Sequence, residues 1–288
     1  MASTVILGTA RTPIGKLGGG LAPLDAPTLG ATAIAGALER AGVEPAQVEH
    51  VVMGTVLQAG QGMIPSRQAQ YKAGIPVTVS SETINKVCAS GMRALSLLDT
   101  AIRAGDVEVG VGGGMESMSN APYLLAGARF GLRMGDGTVR DVMLSDGLES
   151  PWSGKHMATE ASEVAAELEI TRADMDRWAV RSHERALAAI DDGRMAEEIV
   201  TVTVPSRKAD VTVDVDEAPR RDTTLEGLSK LPPIFVKDGS HTAGNSPGVN
   251  DGAGAVVVAS DEWARQGGHE VLAQILATAQ VADEFPYL

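Results

Sequence analysis

The chain has 288 residues, of which 44 % are hydrophobic and 21 % charged, enough to bury one large core or two smaller ones in water. A formal net charge of −13 repels nucleic acid and anionic membrane, so neither is expected as a partner. A single cysteine excludes an intramolecular disulfide, and neither a signal-peptide pattern at Met1–Leu7 nor an apolar run of about eighteen residues is present. Cytoplasm is the expected location. Aromatic residues are only 3 %, so the core must be built from Val, Ala, Leu, Ile and Met.

Residues 1–119 alternate strand and helix signals. Val5–Leu7 reads as a strand. Pro27 and Thr28 open a helix that Gly42 stops. Val51–Leu57 is the next strand, Ser66–Ala73 a helix ending at Gly74, and Thr78–Ile84 a strand. Apolar residues at 92, 95, 98 and 102 mark a helix that begins near Cys88 and stops at Gly105; Val107–Val111 is a strand after it. The alternation predicts a layered α/β unit with a mostly parallel sheet.

Residues 120–250 read differently, as a large excursion. Helices are predicted over Ala158–Leu168 and from a cap-like Thr171-Arg172-Ala173-Asp174 to Asp191. Val200–Val204 and Val211–Val215 alternate like a β-pair, and Lys230–Lys237 is irregular. Residues 254–260 return to a buried strand, and Val271–Ala279 reads as another.

Cys88 lies between a strand and a helix, in Asn85-Lys86-Val87-Cys88-Ala89-Ser90-Gly91-Met92-Arg93-Ala94. A thiol at a helix N-terminus faces backbone N–H groups and the positive end of the dipole, which favour the thiolate. The alternative is a buried, inert cysteine acting as a small hydrophobe. Gly112-Gly113-Gly114-Met115-Glu116-Ser117-Met118-Ser119 follows a strand and reads either as a phosphate-cradling loop or as a close-packed turn. His241–Ala253 is small, polar and turn-rich, and lines a site or links sheet elements. Arg207-Lys208 and Arg220-Arg221 stand out in an acidic chain, as phosphate contacts or as a solvated face. The five histidines have no metal-ligand spacing, and no metal is assigned. His156-Met157 beside Trp152 is a candidate pocket wall.

Taken in order, these stretches resemble the thiolase family, most closely its acetyl-CoA acetyltransferases. The nucleophile stretch around Cys88, Ala10-Arg11-Thr12-Pro13-Ile14-Gly15, Gly112–Ser119, His156-Met157 and Thr242-Ala243-Gly244-Asn245 carry the likeness. The resemblance implies an α/β fold, a thiolase-like layered αβα half with an inserted, mostly helical loop domain. Residues 1–119 and 251–288 would form the N-terminal α/β domain, and 120–250 the loop domain that binds coenzyme A. It implies that Cys88 is the acylated nucleophile. Leu148, His156 and Met157 would line the pantetheine channel, and Arg220, Phe235, Ala243 and Gly244 would lie along coenzyme A. Coenzyme A thioesters are implied as substrates, with no separate cofactor, and the protein as a homo-oligomer, dimer or tetramer.

The chain departs from the family pattern in two places. Pro247 stands where the pattern has a coenzyme-contacting serine. The family's second half, with an Asn-Glu-Ala-Phe element, a Gly-His-Pro histidine and a second cysteine, has no counterpart in these 288 residues; His269 is followed by Glu270 and is no substitute. The resemblance therefore covers the first half and loop domain of a truncated chain. It implies little turnover by the chain alone, since each missing base or oxyanion group typically costs on the order of 10²–10⁴ in rate. A separate chain supplying the second half, a non-catalytic acyl-CoA-binding protein and a degradative 3-ketoacyl-CoA thiolase are the alternative readings.

Overall fold

The computed structural model describes residues 3–284 and 287. In chain order its elements begin β1 (Thr4–Arg11), β2 (Gly15–Lys16), α1 (Ala26–Ala41), β3 (His50–Gly54), α2 (Pro65–Lys72), β4 (Ser80–Ile84), α3 (Ser90–Ala104) and β5 (Val109–Ser117). There follow β6 (Tyr123–Leu125), β7 (Val139–Asp141), α4 (Met157–Glu167), α5 (Arg172–Asp191), α6 (Arg194–Glu198), β8 (Val202–Val204), β9 (Val211–Val213) and α7 (Leu225–Ser229). The last are β10 (Asn250–Ser260), α8 (Asp261–Gly267) and β11 (Ala273–Ile275). The chain divides into two compact units. One holds residues 1–121, 196–217 and 250–279, and the other holds 122–195, 218–249 and 280–288.

The first unit is built on one sheet, ordered β11-β1-β10-β5-β3-β4, with β2 also paired to β10. Strand β3 pairs in parallel with β4 and β5, whereas β10 runs antiparallel to both of its neighbours, β1 and β5. The predicted mostly parallel sheet is therefore mixed. Helical crossovers oblige β1, β3, β4 and β5 to run one way, while β10 returns from the excursion with no crossover helix before it.

Strand periodicity sorts the apolar side chains into two layers. Val5, Leu7, Val51, Met53, Val109, Val111 and Val257 join the core beneath α1 and α2. Val52 and Val258 face the other way and pack with Ala94, Leu98 and Ile102 of α3. Sequence signals set the helix ends. Asp25 caps α1 by accepting from Thr28 N–H, Pro27 sits in its first turn, and Gly42 closes it at φ 60°.

Residues 196–217 lie in the first unit because their charges satisfy groups on β1 and the turn after it. Arg11 donates to both carboxylate oxygens of Asp216, at 2.7 and 2.9 Å, and to Glu198 at 2.9 Å. Asp216 also accepts from Ile14 N–H, and Glu217 from the N–H groups of Lys16 and Gly20. The conspicuous Ala10–Gly15 stretch thus serves as an anchor.

The second unit has a β6–β7 hairpin, a π-helical turn at Met143–Leu148, and helices α4, α5 and α7. The expected capping box of α5 is present: Thr171 Oγ1 accepts from Asp174 N–H, and Asp174 accepts from Thr171 N–H. Its buried residues include the polar Glu160, Ser162, Asp176 and Thr242 as well as the apolar Val142, Ala165, Ala189 and Leu228.

Candidate active site

Cys88 is exposed and precedes α3 rather than beginning it. The first helical residue is Ser90 and the cap position is Ala89. The shift of two residues has a local cause. Val87 takes a left-handed φ of 49°, a strained choice for a β-branched residue, worth about 1–3 kcal/mol. Ser90 Oγ stabilises it by accepting from Lys86 N–H at 2.8 Å and donating to Val87 C=O at 2.5 Å. Asn85 Oδ1 accepts from Val87 N–H at 2.9 Å. The N–H groups of Ala89 and Ser90 are used inside this turn, on the carbonyls of Lys86 and Val87. They are not turned toward the thiol as the reading of a helix start at Cys88 requires.

Three glycines bring this turn down onto the sheet. Gly54 and Gly114 are register partners on β3 and β5. A Cβ on Gly54 would lie 2.7 Å from Ser90 C and 3.0 Å from Gly91 N, and nearer still to Ser90 Cβ. A Cβ on Gly114 would lie 3.3 Å from Gly91 Cα. The first turn of α3 therefore rests on bare backbone. Gly112-Gly113-Gly114 is part of β5, neither a phosphate loop nor a turn. Its glycines are there for close approach, as at Gly113, where a Cβ would collide with Gly254 C=O of β10.

Glu116, in the same motif, is a functional candidate that residue patterns alone did not single out. Its carboxylate accepts from Thr55 Oγ1 at 3.0 Å, Val56 N–H at 2.8 Å and Leu57 N–H at 3.1 Å, so it fixes the loop leaving β3. Asn85 Nδ2 reaches Val56 C=O of that loop at 3.4 Å. The available signal was an acidic residue inside an otherwise buried strand.

Leu148, His156, Met157, Arg220, Phe235, Ala243 and Gly244 all lie in the second unit. Leu148 ends the π-helical turn, and the next residue, Glu149, bridges to His156. His156 caps α4, its Nδ1 accepting from Ala158 N–H at 3.1 Å, and Met157 is the first helical residue. The His156 ring stacks on Phe235 with centroids 4.1 Å apart. Phe235 holds a positive φ of 67°, and its loop is tied to the next candidate segment by Ile234 N–H to His241 C=O. Ala243 is exposed and Gly244 buried in the turn that follows. Arg220 is exposed; its backbone N–H donates to His183 Nδ1 of α5 at 3.2 Å. Arg221 is taken by Asp191.

Burial holds His156, His183 and His241 below the ordinary imidazole range. The Glu149 carboxylate partly opposes this at His156, while Arg220 adds to it at His183. His156 and His183 are thereby kept as neutral acceptors for their backbone donors near pH 7. Among the described residues no group of three or more His, Cys, Asp or Glu side chains is placed to hold a metal ion.

Residues 4–262 match the family model for the N-terminal domain of thiolase. The chain belongs to the thiolase family. An acetyl-CoA acetyltransferase of Cupriavidus necator is 50 % identical over 280 residues, which are 97 % of this chain and 71 % of that protein. The acetyl-CoA acetyltransferase of Escherichia coli is 46 % identical over the same shares. Among solved structures, the acetyl-CoA acetyltransferase of Syntrophomonas wolfei superposes with a TM-score of 0.93 at 43 % identity, over 95 % of this thiolase and 69 % of that chain. The layered α/β fold of this thiolase is thus the fold of its relatives.

Proposed function

We propose that this thiolase is an acetyl-CoA C-acetyltransferase that carries the acyl group as a thioester on Cys88 Sγ. The observation that supports this best is an exposed lone thiol on a strained, braced strand-to-helix turn, in a chain whose relatives are named for that activity. In acylation by acetyl-CoA the Cys88 thiolate attacks the thioester carbonyl: the Sγ–C bond forms, the bond to the coenzyme A sulfur breaks, and the departing coenzyme A thiolate takes up a proton. With acetoacetyl-CoA the thiolate attacks the 3-keto carbonyl instead, the C2–C3 bond breaks, and the carbanion left on C2 takes up a proton to depart as acetyl-CoA. The Gly-His-Pro histidine and second cysteine that the family uses for proton transfer are not among these residues, so acylation is the step assigned to them.

Coenzyme A enters as substrate rather than as resident cofactor. We assign its contacts to Leu148, His156 and Met157 along the pantetheine arm, and to Arg220, Phe235, Ala243 and Gly244 along the nucleotide portion. The stacked His156–Phe235 pair offers a flat apolar wall, and Arg220 a cation suited to phosphate. Mass spectrometry after incubation with acetyl-CoA tests the assignment. One acetyl group on the Cys88 peptide, absent from Cys88→Ala, is expected; no acetyl group, or equal labelling in both, refutes it.

A homo-oligomer is proposed as the working form. The hairpin region exposes Phe130 at 87 % and Met134 at 98 %, with Tyr123, Leu125, Leu132 and Val139 also in solvent, more apolar surface than an isolated chain normally shows. Light scattering should give a dimer or tetramer, and a monomer at micromolar concentration removes the proposal. No helix among the described residues is long and apolar enough to cross a membrane. A catalytic free thiol suits a reducing compartment, and the cytoplasm is the proposed location.

A further inference from the structure

The turn proposed to touch coenzyme A, Thr242–Asn245, is held by a network that ends on one carboxylate. Thr242 is fully buried, and its Oγ1 accepts from the N–H groups of Gly244 at 3.2 Å and Asn245 at 3.3 Å. Asn245 Oδ1 accepts from Thr242 N–H at 2.7 Å, which closes the turn. That choice of amide orientation points Asn245 Nδ2 at Ser240 C=O, 3.0 Å away, and at Asp176 Oδ1, 2.9 Å away. Asp176 is 1 % exposed. Its two oxygens also accept from Arg172 Nε at 3.0 and 2.8 Å. Arg172 Nη2 in turn donates to the carbonyls of Leu228 and Leu231. Those same leucines press on the turn, since a Cβ on Gly244 would lie 2.5 Å from a methyl of each.

One buried carboxylate therefore fixes both sides of the segment. It orients the carboxamide that closes the turn, and through Arg172 it sets the leucines against which Gly244 is packed. A buried acceptor is required at this point, because every neighbour that reaches it is a donor. We infer that Asp176 is a positioning residue for coenzyme A binding, which holds the Thr242–Asn245 turn in its ligand-contacting shape; the inference rests on the function proposed above.

The hydrogen-bond logic supplies its own rescue. Asp176→Asn places an amide N–H₂ against Asn245 N–H₂ or Arg172, so one donor faces another. Asn245→Asp sets a second carboxylate against Asp176. The exchange Asp176→Asn/Asn245→Asp restores donor to acceptor at that contact and leaves an oxygen for Thr242 N–H and one for Arg172, but it loses the bond to Ser240 C=O, which then faces a carboxylate oxygen. The test is calorimetric titration of the full chain with coenzyme A, alongside hydrogen exchange of the Gly244 and Asn245 amides. Each single variant should weaken coenzyme A binding about 10–100-fold and speed exchange of the two amides. The exchange variant should improve on Asn245→Asp in both, since it removes the carboxylate pair, while iodoacetamide labelling of Cys88 stays at the wild-type rate in all three. Wild-type affinity and exchange in Asp176→Asn would overturn the inference, as would an exchange variant no better than Asn245→Asp. Faster exchange in the singles, in a chain that binds no coenzyme A even as wild type, would retain Asp176 as the organiser of the turn but overturn the ligand reading of it.

Discussion

Gly54→Ala puts a methyl group where the nucleophile turn meets the sheet. Its Cβ would stand 2.7 Å from Ser90 C and 3.0 Å from Gly91 N, atoms of the backbone that no rotamer change can move aside. Ordinary carbon contacts need about 3.5–4.0 Å, so the start of α3 must lift by about 1 Å. Overpacking of this kind costs about 1–3 kcal/mol. A displacement of about 1 Å at a reacting group costs on the order of 10²-fold in rate. Gly114→Ala is the internal comparison: its Cβ meets Gly91 Cα at 3.3 Å, which a shift of a few tenths of an ångström relieves. Two measurements serve, the denaturant midpoint and the rate of Cys88 acetylation by acetyl-CoA followed by intact mass. Gly54→Ala should fall well below wild type in both, and Gly114→Ala should lie between them. A Gly54→Ala protein as stable and as quickly acetylated as wild type would sink the argument that bare backbone at this contact sets the position of Cys88.

Two further predictions concern charge. Glu116→Gln turns one acceptor oxygen into a donor in a site where all three partners donate, and should cost about 1–3 kcal/mol in a denaturant titration; an unchanged midpoint would mean that the Thr55–Leu57 loop is held by something else. The histidines predict the direction of the pH response. His156, His183 and His241 are held below 6.5 in the folded chain, so the unfolded chain binds more protons just below that pH. Their contribution is complete above pH 6.5 and is lost as the pH falls. The lowered carboxylates Asp174, Asp191 and Asp192 act only near and below 3.8, in a separate window. The denaturant midpoint should therefore drop between pH 7 and about 5, and a flat or rising midpoint on acidification would contradict this.

What could be read from residues alone was whatever is decided within one or two turns of chain. Pro27 and Gly42 bracket α1, Gly105 closes α3, and Thr171 with Asp174 opens α5, because caps and stops are local hydrogen-bond chemistry. Non-local partners were illegible. Gly112–Gly114 reads as a loop in isolation and is a strand only because β3 and β10 flank it. The direction of β10 depends on where the excursion delivers it, which no periodicity encodes. The helix after Cys88 starts two residues late because Ser90 spends its hydroxyl on the preceding turn, a choice available to any serine near a helix start. Thiol and motif order pointed to the family; the network beneath Thr242–Asn245 needed Asp176 and Asn245, 69 positions apart, to be seen in contact.

The antiparallel entry of β10 between β1 and β5 has a consequence for biosynthesis. When residue 121 leaves the ribosome, β1 and β5 are both made, yet the strand that joins them is not. About 130 further residues must be translated before Asn250 emerges, about 6–26 s at ordinary elongation rates. During that interval β1 and β5 each present a strand edge without its final partner. Such edges are templates for pairing with other chains. The sheet centre is thus closed only after the strands on both sides of it have been made, and a nascent-chain chaperone should engage this protein most strongly between the synthesis of β5 and that of β10.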